Sequence, residues 1–365
     1  MHASYNSRLI ALPIAVTLLV SSIVFRPARR EQSLKRDRLA AVCAAGRWDY
    51  LPQHLRKLTK REPGQRSRRQ EPYAVRMLQI IGSVVVLGCV VGGFLIGGGH
   101  LLLLWHPTEV LIICGSAFGA FLISNPLKVV KGAFAGAISL PKGPRYKRDD
   151  YRMLLKLLHD VLQKIRKEGL LGIENDIERP RDSKLFQKYP NMLADHHLME
   201  FITDCLRLIA GGNMNPHELE SLLEYELETH HRDAHEPAHA VQKVADALPG
   251  FGIVAAVLGI VNTMASLDGA DTATIGHNVA AALVGTFLGI LVAYGIVGPI
   301  SSAMQNQATE EGKAFELVKM ALVANVRGYP PAVAIEFARK LLFAEVRPSF
   351  SDLESHLKSK PKAAA

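Results

Sequence analysis

The stretch ALPGFGIVAAVLGIVNTMASLDGADTATIGHNVAAALVGTFLGILVAYGIVGPI, Ala247 to Ile300, decides the fold. Asp268 and Asp271 are its only members of the Asp, Glu, Lys and Arg set, and they divide it into two runs, Ala247 to Leu267 and Thr272 onward to Thr309. A helix crossing a hydrocarbon core needs about 20 apolar residues, and both runs supply them. Two earlier runs, Leu78 to Thr108 and Val110 to Leu127, also lack all four charged types, the second being only just long enough. With 48% hydrophobic and 21% charged residues distributed this way, a soluble enzyme is nearly excluded. The expected fold is all-α: four transmembrane helices with a large helical domain between the second and third. Gly, Ala, Val, Leu and Ile dominate the first and last runs, and small residues let helix backbones approach closely in lipid.

Orientation follows from the basic residues, which stay cytoplasmic near span ends. After Met77, all 27 Lys and Arg lie between Lys128 and Lys243 or beyond Thr309. One side of the membrane therefore receives every one of them, so both termini of the core are expected in the cytoplasm. The expected layout is spans one and two over 77–127, a cytoplasmic helical domain over 128–246, spans three and four over 247–300, and cytoplasmic helices and tail over 301–365. The segment YRMLLKLLHDVLQKIR, Tyr151 to Arg166, places its Leu, Val and Ile on one face at helical period. Asn191 to Ala210 repeats that pattern, and the GGNMNP turn leads to a helix expected over Pro216 to His230.

The formal net charge of +9 resembles a nucleic-acid or anionic-lipid signal until it is partitioned. Residues 1–76 hold 16 basic against 5 acidic residues, whereas 77–365 hold 27 against 29. The excess belongs to the extension, and no nucleic-acid partner is expected. Leu9 to Phe25 fits a signal-anchor helix, while a translation start at Met77, with 1–76 as an upstream misread, is the preferred reading. Cys43, Cys89, Cys114 and Cys205 form no CxxC pair and read as small apolar core residues.

HEPAH, His235 to His239, matches the HExxH pattern of zinc proteases, which requires an unbroken helix to put both histidines on one face. Pro237 interrupts that pattern, so a solvated helix end or linker is expected, with no metal. GGG at 97–99 and GFG at 250–252 lack the preceding strand and following GK[ST] of a phosphate loop and read as helix-packing residues.

An ion path normally carries an ionisable group at depth. Runs one to three offer none well inside them, and run four offers only His277 near its outer end. A moving ion therefore needs a partner's carboxylate. Asn262, Thr263, Thr286 and Tyr294 fit either interhelical hydrogen bonds or a pore lining. Pro249 suits the first turn of a helix, where the missing amide has no partner anyway, and Pro299 suits a kink or stop. RKEGLLGIENDIERPRDS, Arg166 to Ser183, fits a solvated charged face or a docking surface for a charged partner.

From Met77 onward the chain resembles the MotA family of flagellar motor stator subunits, within the MotA/TolQ/ExbB proton channels. MLQIIGSVVVLG, DIERPRDS, LPGFGIVAAVLGIVNTM and LVGTFLGILVAYGIVGP carry the resemblance, and the family typically begins at the position of Met77. The resemblance implies an inner-membrane torque generator, with five such subunits around two copies of a MotB-like partner whose single membrane aspartate carries the proton. It implies protons as the transported ion and no cofactor. Pro249 and Pro299 match prolines linked to conformational coupling; Thr286, Ala256 and Tyr294 match positions facing the proton path and partner helix. Arg166 and Glu174 match charged residues engaging the rotor protein FliG, and Glu226 matches a further acidic position. An ExbB or TolQ type energiser and a non-energised membrane scaffold are the rivals.

Overall fold

The computed structural model describes residues 71–212, 214–265 and 271–358. All regular secondary structure among them is helical. The expectations for residues 1–70, for Asp268 and for the final residues of the polar tail lie outside the described residues.

Two compact units are present. The first contains α1 (Glu71–Ile96), apolar throughout Ile81–Ile96. The second begins at Gly97 and contains α2 (Pro107–Ser124), α3 (Leu127–Ser139), α4 (Arg148–Glu168), α5 (Glu174–Glu178), α6 (Pro190–Leu193), α7 (His196–Ala210), α8 (Pro216–Ala265), α9 (Thr272–Val292), α10 (Gly298–Val326), α11 (Pro331–Leu341) and α12 (Phe350–Lys358). Among the described residues, three helical segments are long and apolar enough to cross a membrane: Leu101–Ser124, Pro216–Ala265 and Thr272–Val326.

The charged half folds around a core supplied by α4, α7, α8, α10 and α11. On α4, Leu154, Leu155, Leu158, Val161 and Leu162 recur at the helical period and are buried. Leu198, Ile202 and Leu206 of α7 and Leu219, Leu223 and Leu227 of α8 meet them from other sides. Asp195 starts α7 by accepting the Leu198 amide at 3.3 Å, and Arg145 pairs with the same carboxylate at 2.9 Å. That cap separates α6 from α7, so the expected helix over Asn191 to Ala210 is two helices. Lys156, buried on α4, donates to the carbonyls of His356 at 2.8 Å and Leu357 at 3.2 Å, binding α12 through its last turn.

Three local expectations are corrected. The helix expected to end at His230 is the 50-residue α8, which runs through both Pro237 and Pro249. HEPAH is therefore helix interior, not a linker. A proline removes one backbone donor and crowds the preceding turn, yet packing retains the helix. At Pro237, α3 crosses so closely that a Cβ on Gly132 would stand 3.0 Å from the ring, and Ser301 of α10 donates to the neighbouring Ala238 carbonyl at 2.9 Å. Pro249 lies more than thirty residues inside α8 rather than in its first turn. At Pro299 the chain does not stop: a π-helical turn, Ala293–Val297, precedes it, and α10 continues to Val326. The Gly298 amide reaches back to the Ala293 carbonyl, widening the turn just where proline cannot donate.

Of the described cysteines, Cys205 is core, whereas Cys89 and Cys114 lie on exposed helix faces. The latter two correct the core reading, because an apolar membrane helix has no interior of its own to hide a thiol.

Candidate functional site

The membrane half is organised by the crossing of α8 and α9. A Cβ on Gly252 would stand 3.0 Å from the Gly285 carbonyl oxygen, 3.2 Å from Gly289 Cα and 3.4 Å from Thr286 Cα. About two turns further along α8, a Cβ on Gly259 would meet the Ala282 Cβ at 2.9 Å. Glycine is required on both helices because the two backbones are in contact there. Ala256 is buried in the same crossing, its amide nitrogen 3.5 Å from where a Cβ on Gly285 would stand. Pro249 lies one turn inward of Gly252 on the helical period.

The crossing thus brings Ala256 and Thr286 close together, while Pro249 lies at its other end, next to Leu248, whose carbonyl meets Gly289. Thr286 is half-buried. Tyr294 sits in the π-helical turn, where Ala293 is fully buried against Ile113, Ala117, Leu248 and Ala255. Tyr294 consequently points the other way and is 67% exposed. Pro299 is exposed at the start of α10. Thr263 donates to the Gly259 carbonyl at 2.8 Å, a bond within its own helix.

Sequence reasoning missed Glu109, which separates two apolar runs and looks like a boundary marker. It is the third residue of α2 and is buried at 8% exposure. Its Cγ lies 3.5 Å from where a Cβ on Gly285 would stand, so it packs against α9 beside Thr286. Thr108 Oγ1 donates to its Oε2 at 2.7 Å, and His106 Nδ1 lies 3.9 Å from the same oxygen. The Pro-x-Glu start of an apolar helix was the available signal, but only the packing of α9 reveals the burial.

The charged residues of the helical domain occupy a different region. Arg166 is exposed in the last turn of α4, and Glu174 is exposed at the start of α5. Between them runs the turn carrying Leu171, which is 85% exposed. A groove of about 270 Å³ is lined by Leu170, Leu171, Glu174, Ile177, Glu178 and Arg207. Arg207 binds Glu178 at 3.1 Å and Asp204 at 2.7 Å. Beneath the groove, Asp176 is buried and accepts from Lys164 and Ser183, each at 2.6 Å. Glu226 is half-buried on α8, where burial and then the Asp204 charge push its carboxyl above the usual carboxylate range. Asp204 also pairs with Arg207 on the groove wall, whereas Glu226 itself does not line the groove.

Among the described residues, no three His, Cys, Asp or Glu side chains converge as ligands for a metal. His231, His235 and His239 instead form a ladder along α8, with ring centroids 6.1 Å apart at each step.

Long apolar helices crossing at glycine, joined to a charged helical domain, define a multi-pass α-helical membrane protein. The family profile for the motility protein A N-terminal region matches residues 80–169, and that of the MotA/TolQ/ExbB proton channel family matches residues 193–317. Motility protein A of Salmonella typhimurium is 44% identical over 283 residues, spanning 78% of this chain and 96% of that protein. Chemotaxis protein LafT of Vibrio parahaemolyticus is 42% identical over 281 residues, or 77% of this chain and 98% of that protein. Among solved structures, C. jejuni MotAB has a similar fold, with TM-score 0.58 and 19% identity over 73% of this chain and 95% of that chain. The MotAB stator complex of Bacillus subtilis aligns with TM-score 0.55 and 22% identity over 70% and 92%. The chain belongs to the motility protein A family, within the MotA/TolQ/ExbB proton channels.

Proposed function

We propose that this chain is the stator subunit of a flagellar motor that works with a MotB-type partner, coupling proton flow across the inner membrane to torque on the rotor. The observation that carries the mechanism is the glycine crossing of α8 and α9, which sets Ala256 beside Gly285 and Thr286 and runs on past Leu248, the residue before Pro249. The family relationship supplies the motor, and the names of the solved MotAB complexes support a partner and an oligomeric assembly. Four spans are proposed, α1 joining the three longer apolar segments, with five copies around two partner chains. The charge pattern supports cytoplasmic placement of the 128–246 domain, the tail and the core termini.

The partner supplies a membrane carboxylate near Thr286 and Tyr294. Protonation removes a buried charge and changes which contacts that carboxylate prefers. The crossing near Pro249 responds, because the proline leaves the Ala245 carbonyl without its i+4 amide donor and weakens α8 locally. Pro299 and the π-helical turn provide the corresponding soft point between α9 and α10. The long α8 carries the displacement into the cytoplasmic domain, where Arg166, Glu174 and Glu226 present it to the rotor protein FliG. No cofactor takes part; protons are the transported ion.

The relatives at 44% and 42% identity favour the motor over an ExbB or TolQ type energiser. The test is swimming of a strain lacking its own stator subunit, supplied with the chain and a matching MotB-type partner. Motility abolished by a protonophore is the expected result. Correct insertion and partner binding without motility would overturn the reading.

A further inference from the structure

We propose that Glu109, with His106 and His277, is a proton-holding site of this chain at the outer end of the helix crossing, loading protons toward Thr286. This rests on the proton-conducting reading above and adds to it a group supplied by the subunit itself.

Glu109 is buried among apolar helices, yet its firm hydrogen-bond donor is a single hydroxyl, that of Thr108 at 2.7 Å. An ionised carboxylate in such surroundings needs a positive partner or a proton to balance it. His106 is positioned to supply either. Its Nδ1 lies 3.9 Å from the carboxylate, beyond a direct hydrogen bond but within reach through one water or a small rotation. His277, exposed on α9, stands with its ring 6.0 Å from that of His106 and opens the pair to solvent. On the protein side Glu109 faces Gly285, one residue from Thr286.

Among the other packed elements, the described part of α8 from Ala247 outward contains no titratable acid, base or histidine, and the Leu101–Leu104 turn contains none. His100 precedes that turn. Asp271, at the start of α9, accepts the Thr274 amide at 3.0 Å. The chemistry is proton exchange: protonated His106 gives its Nδ1 proton to Glu109 Oε2, becomes neutral, and takes another from outer water. Protonated Glu109 passes its proton through water to the partner's carboxylate and returns to the ionised form.

The experiment uses the full chain with its MotB-type partner. Infrared difference spectra across outer pH are compared between wild type and Glu109→Gln in nanodiscs, and motor speed at low and high load is compared in cells. A carboxyl band that titrates in wild type, vanishes in Glu109→Gln and moves in His106→Gln is expected. Low-load speed should fall several-fold in Glu109→Gln and change its dependence on outer pH, with Glu109→Asp recovering part of it and torque near stall falling less. No titrating band, or equal losses at both loads with an unchanged pH profile, would overturn the site in favour of a purely structural Glu109. A titrating band in a wild-type complex that turns no motor would instead leave the site standing and remove the stator reading.

Discussion

Gly289 passes the carbonyl of Leu248 so closely that a Cβ would stand 2.8 Å from the oxygen and 3.0 Å from Gly252 Cα. Both neighbours are backbone, so neither can rotate away. The α8–α9 contact is therefore set by main chain, one residue before Pro249.

Gly289→Ala should force these helices apart at a cost of about 1–3 kcal/mol, the usual range for overpacking. Swimming should be lost or greatly reduced, and the thermal midpoint of the purified complex should fall. Gly276→Ala, on α9 where an added Cβ meets nothing within 4 Å, is the control and should leave both unchanged. Equal behaviour of the two variants would refute the crossing.

Pro249→Ala restores an amide that can bond the Ala245 carbonyl. An interior proline costs a helix about 3 kcal/mol, so the variant should resist heat at least as well as wild type. It should nevertheless turn the motor poorly, because the soft point one turn from Gly252 is removed. Thermal melts paired with tethered-cell rotation separate the two effects; a stable variant with normal torque would show that Pro249 has no coupling role.

Arg166→Glu should reduce torque while membrane insertion and co-purification with the partner persist. Arg166 is exposed at the end of α4, and exposed interface charges govern recognition and association more than folding. Loss of assembly in this variant would place Arg166 in the stator's own packing instead of the rotor contact.

The charged helical domain should lose stability in acid. His230 packs against Phe315 with ring centroids 4.0 Å apart, and burial, followed by the charges of His231 and His197, pulls it below the ordinary value of 6.5. Burial also lowers His235 and His356. Below 6.5 the unfolded chain takes up protons that the folded form refuses, so stability declines as pH falls through that window. Circular-dichroism melts from about pH 7 to about pH 5.5 should show a falling midpoint, less steep in His230→Leu. An identical slope in the variant would remove His230 from the cause.

Much of the site was legible along the chain for a chemical reason. The GIVAAVLGI and GTFLGILVAYG runs announce close helix contact because lipid offers no other use for so many small residues. RKEGLLGIENDIERPRDS announces a solvated surface, and Arg166, Glu174 and Leu171 are exposed on it. Glu226 was less transparent: the charge that acts on it, Asp204, sits on another helix.

The sequence by itself determined that long apolar helices alternate with charged helical segments, because hydrocarbon and water each impose a composition on the residues that face them. It determined the helical period of the α4 core and the small-residue character of the crossing. Only the tertiary structure decided that α8 continues through Pro237 and Pro249, that Pro299 follows a π-helical turn, and that Glu109 is buried against Gly285. The first and last of these depend on neighbours distant in the chain: Gly132 and Ser301 at Pro237, α9 beside Leu248 and Glu109. A local rule for proline or glutamate states what the residue costs in isolation, whereas packing determines whether that cost is met.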